Sequence, residues 1–279
     1  MRIDTHQHFW QYNPAEHTWM TDAMAALRRD YLPADLAPLL AQNGLDGAVA
    51  VQARQSLEET EWLLALADEH PFIRGVVGWV DLQSPDVRDQ LARFAGRPKL
   101  VGLRHVVQDE PDDRFMLRPA FLRGLGVLAE FDLAYDLLLY PRHLPAAVEV
   151  VRQFPQMRFV LDHIAKPFIK AGVLSPWDAD IRALARFDNV SCKVSGMVTE
   201  AAWRAWQPAD FTPYLDVVYD CFGPDRLMFG SDWPVCTLSA DYAGVVRLAR
   251  DDLQRRLPSA EAKVFGDNAT RLYRLPSVS

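Results

Sequence analysis

Short apolar runs alternate with longer amphipathic stretches along the chain. Eight apolar runs, rich in β-branched residues, predict strands that begin near Arg2, Asp46, Arg74, Lys99, Asp132, Met157, Asn189 and Arg226. Amphipathic stretches between and after these runs predict helices over 33–42, 57–70, 86–94, 119–131, 144–154, 176–187, 211–222, 242–257 and 261–273. Nearly continuous apolar strands separated by helices are typical of a parallel sheet covered by helices.

The spacing of these units predicts the fold class. Successive strands begin roughly 25 to 45 residues apart, which suits one strand–helix unit each. Eight units predict an α/β protein, a single (β/α)₈ barrel domain over residues 1–279 that a C-terminal helix closes. The alternative is an open, doubly wound sheet, which usually carries a glycine-rich first turn. The turn after the first strand contains no glycine, and this favours the barrel.

Composition and charge restrict the class of protein. The chain has 279 residues, a net charge of −7 and 24% charged residues, which is ordinary for a globular protein and lacks the basic character of a nucleic-acid binder. No apolar run approaches the roughly 20 residues of a membrane span, and MRIDTHQHFW has no apolar core of a secretory signal. The cysteines, Cys192, Cys221 and Cys236, give no disulfide or metal pattern. We therefore expect a cytoplasmic protein without a nucleic-acid or membrane partner.

Three polar residues at the ends of the first and last strands are the leading candidates for a site, because active sites of barrels lie at the C-terminal ends of strands. His6 and His8 stand two residues apart, so they share a face and can bind one metal. The alternative is two buried or solvated histidines. Asp232 follows the last strand, next to the first strand in a closed barrel, and suits a general base or a metal ligand. The alternative for Asp232 is a helix N-cap.

Further polar or aromatic candidates lie near the other strand ends: Trp10, Arg54, Arg104, His105, Asp136, His163 and Lys166. The forked donors of an arginine suit a carboxylate or hydroxyl groups, and a structural ion pair is the alternative. The aromatic faces of Trp10, Trp19 and Trp233 suit a sugar ring, with packing as the alternative. A core histidine is the alternative for His163, and a solvated loop lysine for Lys166. The remaining histidines, His17, His70 and His143, are predicted to lie on loops or helix surfaces.

Several other chemistries lack their sequence motifs. The chain contains no G-x-S-x-G nucleophile elbow, no G-x-G-x-x-G, no P-loop and no H-E-x-x-H motif. Strand alternation places Cys192 on the face opposite Lys193, which predicts a core position rather than a nucleophile.

Six segments together resemble one known family: IDTHQHFW, GLRHVVQ, VLDHIAKP, VSCKVSGMVTEA, LMFGSDWPV and FGDNATRLYRL. They occur in the right order over essentially the whole chain. They resemble the amidohydrolase superfamily (amidohydrolase 2 type), and within it the sugar-lactonase branch with the L-fuconolactone and L-rhamnonolactone hydrolases.

This resemblance implies a (β/α)₈ hydrolase that opens a small-molecule sugar lactone by water attack on the carbonyl. His6, His8, His163 and Asp232 are implied as catalytic residues and metal ligands, and the substrate contacts are assigned to Trp10, Arg54, Arg104, His105, Asp136 and Lys166. Binuclear relatives carry a lysine or glutamate after strand 4 and a histidine after strand 5, where this chain has His105 and Asp136. One Zn²⁺, or no metal, is therefore implied, and no organic cofactor. The protein can be a monomer or a homo-oligomer.

Two other functions fit the same residues. A zinc-dependent decarboxylase of the same superfamily would use the three histidines and the aspartate with an obligatory metal. A non-catalytic carbohydrate-binding barrel would retain ligand binding without Asp232.

Overall fold

Eight parallel strands form one sheet in the part of the chain that the structure, a computed structural model, describes, namely residues 1–94 and 96–276. Residues 95 and 277–279 of the predicted domain lie outside the described residues. The strands follow one another in space in the order of the chain. They are β1 Ile3–Gln7, β2 Gly47–Val51, β3 Ile73–Gly78, β4 Leu100–His105, β5 Ala134–Leu137, β6 Phe159–Leu161, β7 Val190–Val194 and β8 Leu227–Phe229.

Ten α-helices lie between and after the strands among these described residues. They are α1 Pro33–Gln42, α2 Leu57–Glu69, α3 Val87–Arg93, α4 Pro119–Ala129, α5 Leu144–Gln153, α6 Trp177–Leu184, α7 Met197–Glu200, α8 Pro208–Phe222, α9 Tyr242–Arg256 and α10 Asn268–Tyr273. A π-helical turn at Lys263–Asp267 leads into α10. None of the described helices combines the length and the apolarity that crossing a bilayer requires.

The apolar stripe of each long helix faces the sheet. In α8, the buried residues include Phe211, Leu215, Val218 and Phe222, which recur every three or four positions and so lie on one side of the helix. This helix begins at Pro208, three residues before the predicted start, because proline suits the first helical position. Helix α7 is a single turn that the sequence pattern did not predict.

The sheet closes between β1 and the residues that follow β8. The Asp232 N–H donates to the His6 carbonyl at 2.8 Å, and the His8 N–H donates to the Trp233 carbonyl at 2.7 Å. These two hydrogen bonds join the ends of the sheet into a barrel. The predicted (β/α)₈ fold is therefore confirmed, and the open doubly wound sheet is wrong.

A bulge in β1 orients the side chains at the site. Between Asp4 and Gln7 the strand advances three residues while β2 advances two, from Ala48 to Ala50. An extra residue in one strand turns the side chains that follow it. As a result, both Ile3 and His6 contribute to the barrel interior, although they are three residues apart.

Helix α10 covers the N-terminal end of the barrel, as the predicted closing helix should. Its Ala269 and Tyr273, together with Leu275, pack against interior side chains of the strands, which are Ile3, Val49, Val51, Val77, Val101, Ala134, Val160 and Met228. This apolar plug fills one end of the barrel. The polar groups of the interior are gathered above it, towards the C-terminal ends of the strands. Cys192 of β7 is buried in the layer between sheet and helices, which confirms its predicted core position.

Candidate active site

Four side chains predicted as ligands meet at the C-terminal end of the barrel. The Asp232 Oδ1 atom lies 3.3 Å from His8 Nε2, 3.8 Å from His163 Nε2 and 4.0 Å from His6 Nε2. All four side chains are buried. The sequence separates them by up to 226 positions, from residue 6 to residue 232, and closure of the barrel brings them within one cluster.

Hydrogen bonds from the far side of the ring orient two of the three imidazoles. His8 Nδ1 lies 2.8 Å from the Val51 carbonyl, so Nδ1 carries a proton and Nε2 faces the cluster. His163 Nδ1 lies 2.9 Å from the Ser195 hydroxyl. Burial lowers the pKa of His163 and of His6 well below the usual value. Neutral imidazoles at this point suit either a metal ion or a water molecule.

The Asp232 carboxylate remains ionised within this cluster. Burial opposes its charge, but His163, the hydrogen bond with His8 and the nearby Lys166 together bring the pKa of Asp232 below its ordinary value. An ionised carboxylate beside neutral imidazoles can accept a proton from a bound water.

The backbone is left-handed at three of the predicted site residues. The φ angles are +54° at His163, +48° at Lys166 and +59° at Asp232. This conformation costs a residue with a side chain about 1–2 kcal/mol. Such backbone persists only where the surrounding structure holds it, and it concentrates at functional sites.

Gly196 leaves the space that the His163 imidazole occupies. Its φ is +64°, and a Cβ atom there would lie 2.4 Å from His163 Nδ1. We expect Gly196→Ala to displace the imidazole and to lower kcat/KM at least about tenfold, because small displacements of reacting groups are costly. Steady-state kinetics with the substrate proposed below measures the effect.

Gly172→Ala is the matched control for this variant. Gly172 has nearly the same φ, +66°, but a Cβ atom there would meet nothing within 4 Å. The two variants share the backbone strain of about 1–3 kcal/mol, so their melting temperatures should fall alike from that cause. Only Gly196→Ala should lose activity, and equal activity in both variants would contradict the steric account.

A layer of paired charges lies directly beneath the histidines. Arg104 donates to Asp162 Oδ2 at 3.0 Å, to the Gln52 carbonyl at 2.6 Å and to Gln52 Oε1 at 2.9 Å. Another contact of 3.1 Å joins its guanidinium to His6 Nε2. These contacts are those of the structural ion pair named as the alternative for Arg104. Its predicted role in substrate binding stays a prediction.

Sequence reasoning left Lys193 and Asp162 out of the site. The Lys193 ammonium lies 2.6 Å from Asp136 Oδ2, 3.0 Å from Asp162 Oδ1 and 3.3 Å from His6 Nδ1. All of these side chains are fully buried. The available signal was a lysine inside the apolar run VSCKV, because a lysine is almost never fully buried unless it is paired.

Four residues predicted to bind substrate have all or most of their polar atoms held by other protein groups. Asp136 is fully buried and faces Lys193 and Tyr273. His105 points away from Arg104, as strand alternation requires, and its Nε2 lies 2.8 Å from Glu110. The Trp10 indole N–H donates to the Arg29 carbonyl at 2.8 Å, and Arg54 pairs with Glu16 and Glu59. The structure does not bring Asp136, His105 or Trp10 to the histidine cluster, so their predicted substrate contacts gain no support from these positions.

His17 lies in a loop as predicted, although it is buried, whereas His143 lies buried in the 3-10 turn Pro141–His143, so the prediction is wrong for His143. His17 is 2% exposed and His143 is fully buried. Each closes a local turn: His143 Nδ1 accepts the Tyr140 N–H at 3.1 Å, and His17 Nδ1 lies 3.0 Å from the Asn13 carbonyl. A local hydrogen bond of this kind occupies one ring nitrogen of each imidazole, and it needs no catalytic role to explain it.

Lys166 is a cation without an ion-pair partner beside the cluster. Among residues 1–94 and 96–276, no carboxylate oxygen lies within 4.0 Å of its ammonium, while Tyr140 presents its ring centroid at 5.7 Å. The side chain is partly exposed, and it influences the pKa of both Asp232 and His163. A positive charge in this position can stabilise a negative charge that develops on a ligand.

The donor set fits one divalent metal ion. Ligands at about 2.1 Å from a tetrahedral ion stand roughly 3.4 Å from one another, and the three contacts of Asp232 Oδ1 with imidazole nitrogens span 3.3 to 4.0 Å. His6, His8 and Asp232 form one compact group of donor atoms, and His6, Asp162 and His163 form another. The Arg104 guanidinium, 3.1 Å from His6 Nε2, competes for that nitrogen.

Known proteins resemble this chain over nearly its whole length. The L-fucono-1,5-lactonases of Burkholderia multivorans and Burkholderia ambifaria are 42% and 41% identical, over 99% and 98% of this chain and 97% and 96% of theirs. A crystal structure of an amidohydrolase from Burkholderia multivorans with bound zinc is 42% identical and superimposes with a TM-score of 0.95, covering 99% of this chain and all of that one.

A family model also matches this chain over nearly its whole length. The model of the family described as Amidohydrolase matches residues 3–275, from the start of the first strand to two residues past the closing helix. Within this span lie the barrel, the histidines in or just after its first and sixth strands and the aspartate after the last. The resemblance drawn from the sequence segments is confirmed, and the chain belongs to the amidohydrolase family.

Proposed function

We propose that this protein hydrolyses a sugar-acid lactone to the aldonate, and that L-fucono-1,5-lactone is its substrate. One observation carries the proposal: an ionised carboxylate, Asp232, meets three imidazole nitrogens in a buried cluster at the C-terminal end of the barrel. The lactonases that are 42% and 41% identical over nearly the whole chain supply the substrate class.

The catalytic step uses Asp232 as the general base. A water held between Asp232 Oδ1 and the imidazoles gives its proton to the carboxylate while its oxygen bonds to the lactone carbonyl carbon. The tetrahedral intermediate then collapses, the bond from this carbon to the ring oxygen breaks, and Asp232 returns the proton to the departing oxygen. The carboxylic acid product ionises at neutral pH, so each turnover releases one proton.

Lys166 is the group that we assign to the oxyanion and to the carboxylate of the product. Its ammonium has no carboxylate within 4.0 Å in the described part of the chain, so its charge is free to act on a ligand. Arg104 supports the same region from below through its contacts with His6 and Asp162. A preorganised cation in a dry site stabilises an oxyanion more than water does.

A divalent ion, if bound, would be held by His6, His8 and Asp232, whose donor atoms form one compact group, with His163 Nε2 as a further ligand 3.8 Å from Asp232 Oδ1. Bound there, the ion would supply a Lewis acid to the water and the carbonyl. The zinc in the related structure from Burkholderia multivorans supports Zn²⁺ as the candidate. The substrate is an activated ester, so the protein's own groups can carry the reaction.

The unit that carries this activity is, in our proposal, the whole chain as one domain in the cytoplasm. The sheet begins at Ile3 and its closing helix ends at Tyr273, so the barrel uses nearly all the residues. Free thiols at Cys192, Cys221 and Cys236 suit a reducing compartment.

A hydrolysis screen over aldonolactones tests the function. We expect purified protein to release protons fastest with L-fucono-1,5-lactone, detected with a pH indicator, and much more slowly with its enantiomer as the control. Removal of metal by dialysis against a chelator should lower the rate without abolishing it. No turnover of any aldonolactone would refute the proposal. Turnover lost completely without metal, together with CO₂ release from a carboxylate substrate, would favour the decarboxylase.

A further inference from the structure

A continuous line of polar contacts runs from the closing helix to the histidine cluster. The Tyr273 hydroxyl, in α10, lies 2.7 Å from Asp136 Oδ2 and 2.9 Å from Asp136 Oδ1. Asp136 Oδ2 accepts from the Lys193 ammonium at 2.6 Å. The same ammonium lies 3.0 Å from Asp162 Oδ1 and 3.3 Å from His6 Nδ1. Tyr273 therefore connects to His6 through two intervening side chains.

Each member of this line is buried and depends on the next for a partner. Tyr273 is 2% exposed, and Asp136, Lys193, Asp162 and His6 are fully buried. Within the described residues, the Asp136 carboxylate takes its side-chain donors from Lys193 and Tyr273. When a buried carboxylate loses one hydrogen-bond donor, its interaction with the remaining donor becomes stronger.

The ammonium of Lys193 lies at unequal distances from two carboxylates and one imidazole. It lies closest to Asp136, at 2.6 Å, then to Asp162, at 3.0 Å, and then to His6 Nδ1, at 3.3 Å. Loss of the tyrosine hydroxyl would leave Asp136 Oδ1 without its side-chain donor, and the ammonium would shift to bridge both carboxylate oxygens. The ammonium would then move away from Asp162 Oδ1, which lies 3.2 Å from His6 Nδ1, and the carboxylate that fixes the imidazole ring would shift with it.

We propose that Tyr273 is a positioning residue of the active site, whose hydroxyl sets, through Asp136, the location of the Lys193 ammonium against His6. The closing helix thus takes part in the site from the opposite end of the barrel. The kinetic consequence of this inference rests on the proposed lactone hydrolysis, while the structural consequence at His6 does not.

Tyr273→Phe isolates the hydroxyl, because the ring that packs in the apolar plug remains. We expect kcat for L-fucono-1,5-lactone to fall about tenfold, as is usual when a partner behind an active-site histidine is lost. KM should stay within about twofold of the wild-type value, because Tyr273 does not touch the substrate. A residue with only a structural role would change the melting temperature and leave kcat of the folded protein intact.

Tyr219→Phe is the matched control. Tyr219 is also a buried tyrosine, 3% exposed, and its hydroxyl faces Asp252 in the helical layer, where α8 packs on α9. Loss of this hydroxyl should affect stability about as much as loss of the Tyr273 hydroxyl, by roughly 1–3 kcal/mol. It should leave kcat and KM at their wild-type values.

A second readout follows His6 without any substrate. In protein labelled with ¹⁵N at histidine, we expect the ring nitrogen signals of His6, identified by their loss in His6→Asn, to shift in Tyr273→Phe and to stay in place in Tyr219→Phe. The His105 signals provide an internal reference, because Glu110 holds that ring outside the line of contacts. If the wild type hydrolyses no aldonolactone, the proposed function fails and these signals alone decide the positioning role.

The inference is overturned if the His6 signals of Tyr273→Phe match those of the wild type, or if its kcat stays within about twofold of the wild-type value for a substrate that the wild type hydrolyses. Should Tyr273→Phe fail to fold, Asp136→Asn takes its place with the same readouts. It keeps the side-chain shape and removes the charge that holds Lys193, so the ammonium is released towards Asp162. A loss of kcat is again expected, with a change of the His6 signals opposite in direction to that in Tyr273→Phe.

Discussion

Asp232→Asn should lower kcat for lactone hydrolysis by about 10²–10⁴-fold, which is the usual contribution of a general base. Asparagine has nearly the same shape as aspartate and tolerates the left-handed backbone that this position requires, with φ at +59°. It cannot accept the proton of the attacking water at neutral pH. The pH-indicator assay measures the loss, and circular dichroism verifies that the variant is folded.

Asp132→Asn is the control for this change. Asp132 also has a left-handed backbone, with φ at +54°, but it is exposed and pairs with Arg158 at 2.7 Å. The same substitution in the same backbone conformation should leave kcat unchanged. Near-full activity in a folded Asp232→Asn variant would remove this residue from the proposed mechanism.

Lys193→Met should reduce the free energy of unfolding by about 3–5 kcal/mol, the usual result of removing one partner of a buried ion pair. Methionine fills a similar volume but leaves Asp136 and Asp162 facing each other without the ammonium that lies 2.6 and 3.0 Å from them. Denaturation in urea, followed by fluorescence, gives the difference between variant and wild type.

Lys263→Met provides the comparison at the surface. Lys263 pairs with Asp225 at 2.7 Å, but both side chains are exposed. An exposed pair of this kind contributes about 0–1 kcal/mol, so little change is expected. A loss below about 1 kcal/mol in Lys193→Met would mean that the buried network is not needed for stability.

The barrel was predictable because its signals are local. Each strand is a short apolar run and each long helix carries a stripe with helical spacing, as in α8 at Phe211, Leu215 and Val218. Helix α7 was missed because a single turn is too short to show a periodic pattern. The left-handed turn at His163 was also missed, because residues other than glycine adopt it only when distant parts of the fold hold them there.

The candidate site was predictable in one respect and hidden in another. The C-terminal ends of barrel strands converge. From this rule the sequence placed His6, His8, His163 and Asp232 together, although they are distant in sequence, and the structure brings them within one cluster. The same rule treated every polar residue near a strand end alike. It therefore included His105, which strand alternation turns outwards.

The pairing beneath the histidines depends on contacts across the barrel. Lys193 meets Asp136 across 57 positions, and Asp136 meets Tyr273 across 137 positions. No local sequence pattern predicts which residues form such a pair. A buried charge in an apolar run signals only that a partner exists, and the structure is needed to identify it.

The path of the water oxygen tests the mechanism most directly. A single turnover of L-fucono-1,5-lactone, with enzyme in excess in H₂¹⁸O, is followed by mass spectrometry of the product and of the peptide that contains Asp232. Direct attack by water places one ¹⁸O in the product carboxylate and none in the peptide. Label in the Asp232 carboxylate or in the newly freed hydroxyl of the sugar would contradict attack by a water that Asp232 activates.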